Sequence, residues 1–254
     1  MTPSNPVSIA FDEGGGDLAL VFLHYFGGAA ESWQWVIDAL PDNVRSIAFD
    51  LPGFGHAPAL PEPSIQNYGD YVQKAIQSLQ LGKFMLIGHS MGGKIALQVA
   101  ADQADGLEQV ILIAPSPPTQ EPMPEEERDR LLNHHPSQAN AETTVQQASE
   151  ASLSAHQRSV ALQTHTAVDQ SAWRWWLLEG MNHSIADQMA QVQVPVTVIA
   201  SKDDPVIPFE TIQTDVMALL SGANLVEMAG FGHLLPLECP ELVAKELDKL
   251  LQAT

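Results

Sequence analysis

The apolar run Lys83-Phe84-Met85-Leu86-Ile87 leads directly into Gly88-His89-Ser90-Met91-Gly92-Gly93, and Lys94-Ile95-Ala96-Leu97-Gln98-Val99-Ala100 follows at helical spacing. A short buried strand, a sharp turn and a helix place Ser90 at the apex of the turn. Such a turn holds the serine backbone in strained dihedrals that only small neighbours tolerate, which accounts for Gly88 and Gly92. The helix starting at Met91 aims unpaired N–H groups and its positive dipole end at Ser90, so an oxyanion forming there is stabilised. Gly-x-Ser-x-Gly by itself arises by chance in roughly one chain in ten of this length, so its setting between strand and helix carries the weight.

A serine hydroxyl is a weak nucleophile and needs a base, with a third group to orient that base. Several further strands read from the sequence end in polar motifs that could supply them. Val7-Ser8-Ile9-Ala10-Phe11 alternates as an opening strand, and Gly14-Gly15-Gly16 reads as a turn. Leu18 to Leu23 is continuously apolar, the pattern of a strand buried on both faces of a parallel sheet. It ends in His24-Tyr25-Phe26-Gly27-Gly28, a glycine-bearing loop where a second oxyanion donor belongs, and the Phe26 N–H is the candidate beside that of Met91.

A helix is expected over Ser32 to Leu40, a strand over Val44 to Phe49 and a helix over Gln66 to Leu81. Asp50, in the Pro/Gly turn after the second of these, reads as a turn-stabilising carboxylate. Gln109 to Ala114 is the next buried strand. The strand pattern then stops from residue 117 to 193, where helices are expected over Glu125 to Asn133, Thr143 to Ser154 and Ser171 to Leu178. An insertion of this kind into a repeating α/β core, residues 1–116 and 194–254, reads as a helical lid over the sheet's C-terminal edge, where such folds bind ligands.

Within the lid, Trp173, Trp175 and Trp176 with Leu177, Leu178 and Met181 form the most apolar stretch, which reads either as a roof over a substrate pocket or as packing of lid on core; Trp175, Trp176 and Met181, with Tyr25 of the core, are the candidate substrate contacts. The lid histidines lack the spacing of a zinc helix, so neither metal nor cofactor is expected. The core resumes with a strand over Val194 to Ala200, ending at Ser201-Lys202-Asp203-Asp204-Pro205. A helix over Phe209 to Leu220, a strand over Asn224 to Met228 followed by Gly230-Phe231-Gly232-His233, and a helix over Pro240 to Leu251 complete the chain.

Charge narrows the choice of partner. The 31 acidic against 11 basic residues give a formal charge of -20, which repels nucleic acid and anionic membranes. A small molecule is the expected partner, and a monomer or homodimer the expected state. Cys239 is the only cysteine, which excludes a disulfide framework. Met1 to Pro6 lacks the basic start of a signal peptide, so a cytoplasmic location is expected.

Ser90, then an aspartate at 203 or 204, then His233, each just after a strand, is the order nucleophile, acid, base. With His24-Tyr25-Phe26-Gly27-Gly28, Asp50-Leu51-Pro52-Gly53-Phe54-Gly55, Gly88-His89-Ser90-Met91-Gly92-Gly93, Asp204-Pro205-Val206-Ile207-Pro208 and Gly232-His233, the chain resembles an α/β-hydrolase from about Val7 to Leu251, the lid excepted. The resemblance implies an α/β fold with a mostly parallel sheet flanked by helices. It implies that Ser90 attacks an acyl carbon, that His233 is the base and that Met91 and Phe26 hold the oxyanion. Its Asp-x-x-x-Pro pattern selects Asp204 as the acid, and adjacent side chains on a strand point oppositely, so only one of the two aspartates faces His233.

Family members with this elbow are often esterases or thioesterases of small acyl groups. A serine carboxylesterase of short to medium acyl chains is therefore the leading expectation, ahead of a carbon–carbon bond hydrolase of ring-cleavage products, a perhydrolase or a non-catalytic binder. Arg174 is an isolated candidate for holding an acidic ring-cleavage product. One departure stands out: the family usually has His-Gly where this chain has His24-Tyr25, which implies a shifted oxyanion loop or a narrowed acyl pocket.

Overall fold

The computed structural model describes residues 8–253. Seven strands, β1 (Ile9–Glu13), β2 (Leu18–Leu23), β3 (Arg45–Phe49), β4 (Lys83–His89), β5 (Leu107–Ile113), β6 (Val196–Ser201) and β7 (Asn224–Met228), form one sheet in the order β1-β3-β2-β4-β5-β6-β7. Only β1 runs antiparallel to its neighbour, and every other pairing is parallel. The apolar runs explain why the middle strands are central. In β2, Ala19, Val21 and Leu23 enter one core layer while Leu20 and Phe22 enter the other, and β4 divides Phe84 and Leu86 from Met85 and Ile87 in the same way. Successive side chains point to opposite faces, so only a strand apolar at every position can be covered on both.

Ten α-helices accompany the sheet in the described residues. These are α1 (Gln34–Asp38, entered through a 3-10 turn at Ala30–Trp33), α2 (Ile65–Ser78), α3 (Met91–Ala101), α4 (Glu125–His134), α5 (Gln138–Ala148), α6 (Ala155–Ala167), α7 (Gln170–Trp175), α8 (Phe209–Thr211), α9 (Leu235–Glu238) and α10 (Pro240–Gln252). The α2 stripe of Tyr68, Val72, Ala75 and Ile76 packs into the layer that also receives Ile95 and Val99 of α3, whereas Val243 and Leu247 of α10 pack into the other. At the C-terminal end of β3 the Asp50 carboxylate accepts from the Ala30 N–H (3.0 Å), the His56 N–H (2.9 Å) and the Ser8 hydroxyl (3.1 Å), the turn-holding role expected of it.

Helices α4 to α7 all lie between β5 and β6, with a 3-10 turn at Ala186–Gln191. Their boundaries correct the sequence reading. The helix expected over Thr143–Ser154 is α5, which starts earlier, at Gln138, because the Ser137 hydroxyl accepts from the Asn140 N–H and so caps the helix there. It also ends earlier, at Ala148. A separate helix, α6, starts at a capping box in which Gln157 accepts from the Ser154 N–H (2.8 Å) and Ser154 from the Gln157 N–H (3.2 Å). The helix expected over Ser171–Leu178 is α-helical as α7 and continues as a π-helical turn over Trp176–Gly180. Likewise, the helix expected over Phe209–Leu220 is α-helical only to Thr211 and continues as a π-helical turn over Ile212–Met217. The short α9 has no counterpart in the sequence reading. The described part of the opening strand is Ile9–Glu13, and Val7 lies outside the described residues, as do Met1 to Pro6.

Candidate active site

Ser90 sits between β4 and α3 with φ +53° and ψ −117°, a strained conformation for a residue with a side chain. Its backbone is tied on both sides: the Ser90 N–H donates to the Ile113 carbonyl (3.0 Å), and its carbonyl accepts from the N–H groups of Gly93 (2.8 Å) and Ser116 (3.1 Å). A methyl group on Gly92 would lie 2.5 Å from the Leu23 carbonyl oxygen and 2.6 Å from that of His24, so only glycine lets the elbow approach the end of β2.

The His233 ring reaches Ser90 from the loop after β7. His233 Nε2 lies 2.9 Å from Ser90 Oγ, and Nδ1 lies 2.8 Å from Asp204 Oδ2. With Nδ1–H donating to the carboxylate, Nε2 is left to accept the serine proton. Asp204 Oδ1 accepts from the Val206 (2.8 Å) and Ile207 (2.9 Å) N–H groups, which fixes the carboxylate plane. Asp203 is exposed and turns the other way, accepting from the Gly230 N–H at 2.6 Å. Burial works against a charged imidazole, yet the carboxylates of Asp204, Glu121 and Glu238, with the Asp204 hydrogen bond, together outweigh it and hold His233 above its ordinary 6.5. His89 donates from Nε2 to the His233 carbonyl (2.8 Å), and burial pushes its own pKa well below the usual value.

Behind the elbow, His24 locks the loop that carries Phe26. The Leu51 N–H donates to His24 Nε2 (3.0 Å), so Nδ1 carries the proton and donates to the Tyr25 carbonyl (2.9 Å). That carbonyl also accepts from the Gly28 N–H (3.0 Å), closing a turn in which Gly27 has φ +88°. Tyr25 occupies the place where glycine is usual. A methyl on Gly28 would lie 2.5 Å from Tyr25 Cε1, so Gly28 supplies the room that the tyrosine takes. The Phe26 ring stacks on Trp173 at 4.3 Å.

A cavity of about 430 Å³ opens over Ser90 and His233. Tyr25, Phe26 and Trp176 line it. Trp175 and Met181 do not, whereas Trp173 of the same apolar stretch does. Trp173 and Trp176 are three residues apart and share a helix face, whereas Trp175 points away and stacks on Tyr68 at 4.7 Å. Met181 packs in the core, and its carbonyl accepts from the Glu121 N–H (2.9 Å) and from Lys94 Nζ (3.3 Å).

The model of the Alpha/beta hydrolase family matches residues 20–246. The chain belongs to the alpha/beta hydrolase family. It is similar in structure to an esterase from Exiguobacterium antarcticum, with a TM-score of 0.88 and 19% identity over 97% of this chain and 95% of that one. A thermophilic esterase from Thermogutta terrifontis gives a TM-score of 0.81 and 23% identity over 100% of this chain and 96% of the other. In sequence, a 2-succinyl-6-hydroxy-2,4-cyclohexadiene-1-carboxylate synthase from Escherichia coli is 35% identical over 111 residues, 44% of each protein. The chain matches less than half the length of such curated relatives.

Two buried ionisable groups, one in the cavity wall and one on α3 of this hydrolase-family chain, escape a reading of the sequence. Glu121 lines the cavity, and burial pushes its carboxyl above the usual carboxylate range. Lys94, one turn after Ser90, is pushed down to about 8 by burial, and its Nζ donates to the Thr119 (2.9 Å) and Met181 carbonyls. No sequence spacing marks either residue, because the loop after β5 brings Glu121 back over α3. Arg174 is exposed and does not line the cavity. Among the described residues no group of three or more His, Cys, Asp or Glu is placed to hold a metal, and no helix is long and apolar enough to cross a membrane.

Proposed function

We propose that the protein is a serine hydrolase of small-molecule carboxylic esters with short to medium acyl chains. The observation that carries this reading is the relay from Ser90 Oγ through His233 to Asp204, at 2.9 and 2.8 Å, beneath a cavity of about 430 Å³. Ser90 Oγ attacks the acyl carbon while His233 Nε2 takes its proton, and Asp204 stabilises the imidazolium. The backbone N–H groups of Met91 and Phe26 hold the oxyanion. His233 returns the proton to the leaving alcohol, and the acyl-enzyme is then released by water, which His233 deprotonates in turn. Helices α4 to α7 and the π-helical turn after them act as a cap, supplying Leu131, Val145, His165, Trp173 and Trp176 to the cavity wall.

The carbon–carbon hydrolase reading is weaker. An acidic ring-cleavage product calls for cations, yet the cavity is lined by Glu121 and Glu127 and, among the described residues, by no lysine or arginine. The test is hydrolysis of 4-nitrophenyl esters from acetate to palmitate, with Ser90→Ala as control. Turnover that peaks at short or medium chains and disappears in the variant supports the proposal. Absence of both turnover and fluorophosphonate labelling of Ser90 refutes it.

A further inference from the structure

One carboxylate joins the cap to the loop that carries His233. Glu238 Oε2 accepts from the N–H groups of Gly232 (2.9 Å), Glu150 (2.9 Å) and Ala151 (2.7 Å), and Oε1 accepts from that of Leu234 (3.0 Å). Two of these donors flank His233, and the other two belong to the segment between α5 and α6. The His233 N–H itself donates to the Ala148 carbonyl at 2.8 Å. The two strips of backbone touch closely: a methyl on Gly232 would lie 2.5 Å from the Ala148 oxygen and 2.7 Å from the Glu150 nitrogen. Ala148 and Leu234 both line the cavity, so these bonds sit at its rim.

We propose that Glu238 is a positioning residue that makes the placement of His233 depend on a closed cap. Hydrogen bonds to an ionised acceptor are the stronger kind, and a carboxylate shared by four N–H groups holds two loops that have no regular structure of their own. Withdrawal of residues 148–151 removes two of those donors together with the carbonyl anchor of His233. The imidazole then loses its alignment to Ser90, and a displacement of about 1 Å at a reacting group costs on the order of a hundredfold in rate. Ester turnover would thus be confined to the closed form.

This inference rests on the serine-hydrolase reading for its kinetic arm only. In Glu238→Ala, kcat per titrated active site on a 4-nitrophenyl ester should fall about a hundredfold while KM moves less than about threefold. Glu238→Gln should fall only about tenfold, because its amide oxygen still serves the three donors on the Oε2 side while its NH2 opposes Leu234. Hydrogen exchange should quicken together at 148–151 and 231–235 in both variants, with a cooperative thermal transition retained. Exchange changes confined to α9, or turnover per titrated site within about threefold of wild type in Glu238→Ala, would overturn the proposal. If the wild type hydrolyses no ester, the functional reading fails, and the exchange arm still decides whether Glu238 joins the two loops.

Discussion

Replacing Asp204 by asparagine tests the relay without altering its shape. Oδ1 accepts two backbone N–H bonds, from Val206 and Ile207, at 2.8 and 2.9 Å. An asparagine must therefore keep its carbonyl oxygen there and turn its NH2 toward His233, where Oδ2 had accepted at 2.8 Å. Two donors cannot face each other, so the imidazole shifts its proton to Nε2 and can no longer take one from Ser90. The same tautomer reversal in a serine protease triad costs about 10⁴ in kcat, which corresponds to about 5 kcal/mol at about 1.36 kcal/mol per decade. Asp203→Asn disturbs only an exposed bond to the Gly230 N–H, and kcat should change by less than about threefold. Steady-state hydrolysis of 4-nitrophenyl butyrate, normalised to titrated sites, measures both. Retention of more than about a tenth of wild-type kcat by Asp204→Asn, or a larger loss from Asp203→Asn, would refute the assignment.

The other expectations concern pH and the cavity wall. His233 must be neutral to act as base and is held above 6.5, so kcat/KM should rise with pH with a midpoint above 6.5; a midpoint below that value would contradict the electrostatics described. His165 is buried with neither ring nitrogen hydrogen-bonded, and burial lowers its pKa to about 4. The unfolded chain binds that proton near 6.5 and the folded chain near 4, so stability is lost as pH falls through this window. His165→Phe should remove that part of the loss, read as a smaller drop in Tm between about pH 7 and about 4.5 than in the wild type. Trp176→Ala should move the acyl preference toward longer chains, whereas Trp175→Ala should lower Tm and leave the preference unchanged, measured across the 4-nitrophenyl ester series.

Period and punctuation made most of the sheet legible. Continuous apolar runs such as Leu18–Leu23 can be buried only between two helical layers, and the glycines around Ser90 announce a turn that nothing bulkier fits. Ser90, the Asp203-Asp204 pair and His233 stood out because each lies just after a strand. Local sequence says less about side-chain direction in the cap, where Trp173, Trp175 and Trp176 differ only in their angle around a helix. Nor could it show Glu238 reaching the Glu150 N–H, 88 residues away in the chain.

The sequence by itself determined the strands, the elbow and the order serine, aspartate, histidine, because each follows from local periodicity or from a steric demand met within a few residues. Tertiary structure decided how Asp204 rather than Asp203 meets His233, which tryptophans reach the cavity, and where Glu121, Lys94 and Glu238 lie. Those outcomes depend on contacts between segments far apart in the chain, and a hydrogen bond or a cavity wall exists only once both sides have been folded into place.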